Sequence, residues 1–308
     1  MKKDLLKISD LTRHEIDEIF ERSRILKGNH KRGMPYKPLI GKTLGLIFEK
    51  ASTRTRVSFE AAMYQLGGNT IFISSRDSQM GRGEPIKDTA RVLSRYLDAV
   101  VIRTFGHDIV DEFARYSEIP VINGLTDLHH PCQVLTDMFT IIEKKGDYKG
   151  LKIAWIGDGN NMANSWIEAA SILGFNLFLA CPKGYEPDKK ILEHAQKEAK
   201  SEIKVLKDPK DAADGADVLN TDVWASMGQE DEREKRLKDF KGYQINKDVL
   251  KLAKKDAIVM HCLPAHRGEE ITDEVMEGSQ SVVFDQAENR LHVQKAVLEI
   301  LLINPIEK

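Results

Sequence analysis

Cysteine is scarce. Cys132, Cys181 and Cys262 are the three in a chain of 308 residues. An odd, scattered set argues against a disulfide framework and fits a reducing compartment. Charge of one sign is also lacking: 46 Lys and Arg face 48 Asp and Glu, a formal net charge of -2. That balance offers no overall field for nucleic acid or a membrane surface. A small anionic substrate would have to be met by a local cluster of arginines. Long apolar runs are missing too. The chain opens Met1-Lys2-Lys3-Asp4 and then alternates charged with apolar residues, unlike a signal peptide. No stretch is long and apolar enough to span a bilayer, so the expected location is the cytoplasm. There is no internal repeat and no low-complexity tract.

What is present is a folded composition, 41% hydrophobic and 31% charged, in a length comfortable for two domains. Thr12-Arg13-His14-Glu15 is a capping-box pattern, with Ile16, Ile19, Phe20 and Leu26 on one helical face and Gly28 as a stop. Strands are expected at Thr43 to Phe48, Asn69 to Ile73, Ala99 to Ile102 and Val121-Ile122. Helices are expected through Phe59, Ala62 and Leu66, over Ile86 to Leu97 and His107 to Tyr116, and from Pro131 to Lys144. Ser74 to Glu84 reads as a loop. The alternation breaks at Lys144 to Gly150 and restarts. Strands then follow at Leu151 to Ile156, Asn176 to Ala180, Ile203 to Leu206, Asp217 to Asn220, Ala257 to Met260 and Ser281 to Phe284. Helices fall at Ala163 to Leu173 and Asp188 to Lys200, and a closing helix at Leu291 to Leu302. The fold class is α/β, with two parallel or mostly parallel sheets flanked by helices. The expected domains are 1–145 and 146–290, with 291–308 packing back on the first. Glu230 to Lys241 is nearly all charged and reads as a solvated helix with Glu232–Arg236 and Glu234–Lys238 pairs.

Ligands of open α/β sheets collect at the carboxyl ends of strands. Five places there carry chemistry. Ser52-Thr53-Arg54-Thr55-Arg56 opens a helix, where free N–H groups, hydroxyls and guanidiniums match a phosphate; the plainer alternative is an N-cap with surface arginines. Arg103 ends a strand, as a site residue or a rim ion pair. In His129-His130-Pro131-Cys132-Gln133 an imidazole can polarise a carbonyl and an amide can read an N–H; the spacing does not match zinc ligands. Gly157-Asp158-Gly159-Asn160-Asn161-Met162 is half a dinucleotide fingerprint, but Met162 stands where the third glycine belongs. The last place is a pair of loops, Asp222 to Gly228 and His261-Cys262-Leu263-Pro264. Asp222 there suits an ammonium group, Ser226-Met227-Gly228 suits a polar lid, and Cys262 is a nucleophile, a buried thiol or a neighbour of the substrate.

Over essentially its whole length the chain resembles the aspartate/ornithine carbamoyltransferase family. Ser-Thr-Arg-Thr-Arg and His-Pro-Cys-Gln mark the carbamoyl phosphate side; Asp-Val-Trp-Ala-Ser-Met-Gly and His-Cys-Leu-Pro mark the ornithine branch. The resemblance implies transfer of a carbamoyl group from carbamoyl phosphate to the side-chain amine of ornithine, in a cleft between the domains. It implies that Ser52, Thr53, Arg54 and Thr55 cradle the phosphate. Arg103, His130 and Thr55 would face the phosphate and the carbonyl oxygen. Gln133 and the backbone of Cys262 and Leu263 would read the carbamoyl NH2, with Arg290 on the same side. Gln79 would be lent to a neighbouring subunit. Asn161, Asp222, Ser226 and Met227 would hold ornithine, and Asp222 and Cys262 are the candidates to influence its proton. No metal or organic cofactor is implied; a homotrimer with shared sites is, and some members stack trimers further. Sister enzymes acting on aspartate, N-acetylornithine or putrescine are the near rivals. Aspartate would call for further cations, whereas Asp222 and Ser-Met-Gly suit a diamino acid. A nicotinamide dehydrogenase or a non-catalytic binding protein would leave the phosphate cluster or the intact polar set without a use.

Overall fold

The computed structural model describes residues 4–74, 83–226, 228 and 230–303. Gln79 and Met227 lie outside the described residues, as does most of the expected loop from Ser74 to Glu84. The chain forms two compact units, Met1–Thr136 with Asn289–Lys308, and Asp137–Glu288. The first division between these units falls at 136/137, inside a helix.

The first unit opens with α1 (Arg13–Lys31), whose Thr12 and Glu15 form the expected capping box. Gly28 does not stop this helix; Arg32 caps it instead. A glycine inside a helix carries only a modest penalty, which Ile16, Ile19, Phe20 and Leu26 offset by burial. Then come β1 (Thr43–Phe48), α2 (Thr53–Gln65), β2 (Asn69–Ser74), α3 (Ile86–Leu93), β3 (Ala99–Arg103), α4 (His107–Tyr116), β4 (Val121–Leu125) and α5 (Pro131–Lys145). Its sheet is parallel throughout, in the order β2-β1-β3-β4. Ile47, Val100, Ile102, Val110, Phe113 and Val121 form one core cluster there.

The second unit continues with β5 (Lys152–Ile156), α6 (Asn161–Leu173), β6 (Asn176–Ala180), α7 (Lys189–Glu198), β7 (Ile203–Leu206), α8 (Pro209–Ala213), β8 (Val218–Thr221), α9 (Arg233–Asp239), α10 (Lys247–Leu250), β9 (Ile258–His261), α11 (Asp273–Met276) and α12 (Val283–Ile303). Its sheet is also parallel, ordered β7-β6-β5-β8-β9. α6 is buried nearly all round, as a helix enclosed by protein must be. The expected strand at Ser281 to Phe284 is not formed. Ser281 makes an isolated bridge to Val259, and α12 begins at Val283. A four-residue apolar run does not distinguish a strand from the first turn of a buried helix. The helix that closes the chain therefore begins well before Leu291, and from Asn289 onward it belongs to the first unit.

Chain order reverses beside β1 in the first sheet and beside β5 in the second. At such a switch point adjacent loops leave in opposite directions and open a crevice at the strand ends. Ser52 and Arg103 follow β1 and end β3; Gly157–Asn160 and Asp222 follow β5 and β8. Topology therefore gives each unit one crevice and puts the singled-out residues around it.

Candidate active site

In the first unit Ser52 is the N-cap of α2, and its hydroxyl accepts the Thr55 N–H at 3.2 Å. Thr53 and Arg54 are exposed on the first turn, whereas Thr55 is buried. The open N–H groups and the positive end of the helix make this turn receptive to an anion. Arg290 of α12 ties the cluster together. Its guanidinium donates to Thr55 Oγ1 at 3.2 Å and to Gln133 Oε1 on α5. The three side chains come from helices far apart in sequence, and all are buried. His130 sits just before α5 and is itself buried. Burial, and then the guanidiniums of Arg290 and Arg103, hold its imidazole well below the ordinary range. It is therefore neutral at pH 7, and a neutral imidazole can donate one N–H to a developing oxyanion. Cys132 is different: its thiol donates to Asn123 O at 3.6 Å, and burial pushes it up to about 12. Such a thiol is inert.

In the second unit the centre is Asp222, just beyond β8 and nearly buried. Its carboxylate accepts the Cys262 thiol at 3.0 Å, the Asn160 amide at 3.0 Å and the Val223 N–H at 2.8 Å. Asn160 also caps α6 by accepting the Met162 N–H at 2.9 Å. Asn161 begins that helix and is nearly buried, while Ser226 is half-buried in the loop beyond Asp222. Gly159 lies against another chain segment, where a Cβ would sit 2.3 Å from Pro187 N. The two glycines thus serve a tight turn and a close backbone approach, which removes the need for a dinucleotide to explain them.

Two buried devices that the sequence did not announce hold this cluster. Arg236, expected on a solvated helix, is buried. It donates to Asp158 at 2.7 Å and Trp224 O at 2.8 Å, and also makes the anticipated Glu232 pair at 2.9 Å. Burial lifts the Asp158 carboxyl to about 6 against the pull of Arg236. The pair clamps the loop after β5 to the loop after β8. The second device is His261. Its Nδ1 accepts the Leu263 N–H at 2.9 Å, so the proton must sit on Nε2, which faces Glu270 Oε1 at 2.9 Å. Gln286 fixes the His261 N–H at 3.0 Å and donates to Asp137 at 2.7 Å. Leu263 is thereby held at φ 60°, a left-handed conformation that disfavours a leucine by about 1–2 kcal/mol. A run of charge at Arg233 to Lys238 gave no hint of a buried arginine. The one sequence signal for the second device was His261 itself, next to Cys262.

Asp222, His261 and Cys262 bring one potential metal-ligand atom each within 4.8 Å of one another. Both ring nitrogens of His261 are already engaged, so a metal there would have to break the hydrogen bond that shapes the Leu263 turn.

The cluster of the first unit is cationic and rich in hydroxyls and suits an anionic ligand; that of the second is acidic and suits a cationic one. Each lies on a parallel α/β unit with a crevice at its switch point, the arrangement of a small-molecule enzyme. Residues 3–143 match the carbamoyl-P binding domain of aspartate/ornithine carbamoyltransferase, and residues 149–301 match its Asp/Orn binding domain. The chain belongs to the aspartate/ornithine carbamoyltransferase family. It is 62% identical over 302 residues to an ornithine carbamoyltransferase of Syntrophus aciditrophicus, covering 98% of this chain and 100% of that one. The counterpart in Geobacter metallireducens is 61% identical with the same coverage. Among solved structures, ornithine carbamoyltransferase from Pyrococcus furiosus superposes with a TM-score of 0.95 at 52% identity, over 99% of this chain and 98% of that one.

Proposed function

We propose that the protein transfers the carbamoyl group of carbamoyl phosphate to the δ-amine of L-ornithine, giving L-citrulline and phosphate. The observation that carries this reading is the buried Thr55–Arg290–Gln133 network beside a neutral His130, at the start of α2. In it, Ser52, Thr53, Arg54 and Thr55 take the phosphate. Arg103, His130 and Thr55 face the carbonyl oxygen, where negative charge grows as the amine attacks. Gln133 and the backbone of Leu263 read the carbamoyl NH2. Asp222, with Asn161 and Ser226, takes the ornithine ammonium groups.

The neutral δ-amine forms the new C–N bond, the C–O bond to phosphate breaks, and the amine's proton passes to the departing phosphate. Phosphate is a good leaving group, so no covalent enzyme intermediate is called for. Cys262 acts instead through its hydrogen bond to Asp222, at 3.0 Å. The reaction requires the two ligands to meet, and positioning of that kind is worth on the order of 7–11 kcal/mol.

The family membership supports a homotrimer with Gln79 shared between subunits. Val57, Tyr64, Ile71 and Phe72 of the first unit supply exposed apolar area on α2 and on the edge strand β2. No described helix is long and apolar enough to cross a membrane, and the free cysteines fit the cytoplasm. The test is to mix the protein with carbamoyl phosphate and, separately, ornithine, putrescine, N-acetylornithine and aspartate, and to measure the ureido product. Product with ornithine is expected. Product with another amine alone, or none, would overturn the reading. Sedimentation velocity tests the trimer.

A further inference from the structure

Away from both clusters the first unit contains an open cavity of about 590 Å3. It lies at the far end of α2 from Ser52. The last turn of α1, the connection before β1 and the residues closing α2 form its walls, and Lys295 of α12 points its chemistry there. Lys295 is only 5% exposed. Burial pushes its ammonium below the ordinary range, and no acidic group among the described residues opposes that. None of the lining residues is Asp or Glu. Glu299, one turn further along the helix, is engaged by Arg22 and Tyr36. The carbonyl ends of α1 and α2 supply a diffuse negative potential but no carboxylate. The stem of Lys295 is covered while its side chain lines the open cavity, where no carboxylate pairs with the ammonium, so an incoming anion can take that place. On the same wall Gln65 Oε1 is enclosed and accepts no hydrogen bond from the described residues. Leu26, Met34 and Ile40 add apolar surface.

We propose that this cavity is a binding site for a small organic carboxylate that carries an N–H donor on a compact apolar body. An acylated apolar amino acid has this chemistry. Its carboxylate pairs with Lys295, its amide N–H meets Gln65, and its side chain lies against Leu26, Met34 and Ile40. The volume falls in the range of small-molecule pockets. The site shares no residue with the proposed chemistry of carbamoyl transfer; of the apolar residues offered for the trimer, Tyr64 alone also lines it.

The probe is N-acetyl-L-leucine, titrated calorimetrically into the full-length protein with carbamoyl phosphate present; N-acetyl-L-leucinamide, which lacks the carboxylate, is the control. Binding of the acid, and none of the amide, is expected. Lys295→Met should weaken it at least roughly tenfold, the loss of one charge-assisted hydrogen bond. Basal carbamoyl transfer should stay unchanged. Met34→Trp narrows the cavity, keeps the ammonium and should weaken binding as well. It decides the matter if Lys295→Met fails to melt cooperatively. No binding of the acid, equal binding of the amide, or wild-type affinity in a folded variant would overturn the proposal.

Discussion

The Cys262 thiol donates to the Asp222 carboxylate across 3.0 Å, joining the loop after β9 to the loop after β8. Two residues 40 positions apart in the chain thus share one proton donor and one acceptor. Asp222→Asn keeps the shape and removes the charge. Loss of a partly buried charged partner should lower kcat/KM for ornithine by about 2–5 kcal/mol. The KM for carbamoyl phosphate should change little, and steady-state kinetics with each substrate varied in turn gives the split. Cys262→Ser should remain active, because the hydroxyl still donates to Asp222. Complete inactivity of a folded Cys262→Ser enzyme would contradict the positioning role.

Arg290 is the residue on which Thr55 and Gln133 converge. Arg290→Ala removes a charge and leaves two buried polar groups without their shared donor. Carbamoyl phosphate should bind about 2–5 kcal/mol more weakly. Arg54→Ala should also weaken it, and more so at low salt, because Arg54 is exposed and its contribution is screened. Equilibrium dialysis at two ionic strengths distinguishes the two variants.

His130 gives a pH prediction with a definite sign. Its folded value lies below 6.5, so the unfolded chain takes up the proton more readily. The stability it contributes is present above pH 6.5 and is lost as pH falls through its folded value. A bound dianion facing Arg103 and Arg290 should offset their repulsion and raise the imidazole. Histidine NMR titration with and without carbamoyl phosphate reads both effects. A His130 resonance that titrates at or above 6.5 in the free protein would contradict the assignment.

Arg236 and Asp158 form a buried pair at 2.7 Å. Arg236→Met leaves the carboxyl without its cation and frees the Trp224 carbonyl. That should destabilise the protein by about 3–5 kcal/mol. Adding Asp158→Asn should recover part of the loss, and urea denaturation of the four proteins in the cycle measures the coupling. Additive effects would mean that the pair does not clamp the two loops.

Much of the fold is legible in the sequence because a parallel strand buried on both faces must be apolar from end to end. Thr43 to Phe48 and Asn176 to Ala180 come close to this: each is an apolar run behind one polar residue, and their limits match the strands. Ser281 to Phe284 has the same texture over four residues, and there the pattern fails. The short helices α8, α10 and α11 carry too few turns to show a period.

The sequence by itself determined which groups are available: hydroxyls and guanidiniums at the start of α2, His130 before α5, Asp222 and Cys262 after neighbouring strands. Those follow from residue identity and from strand-then-loop order, both of which are local. Only the tertiary structure decided which side chains share a proton. Arg290 reaches Thr55 across 235 positions, and Arg236 reaches Asp158 across 78. Hydrogen bonds depend on distances of about 3 Å between atoms. No periodicity or motif encodes such distances between remote segments; the packing of helices on the sheets does.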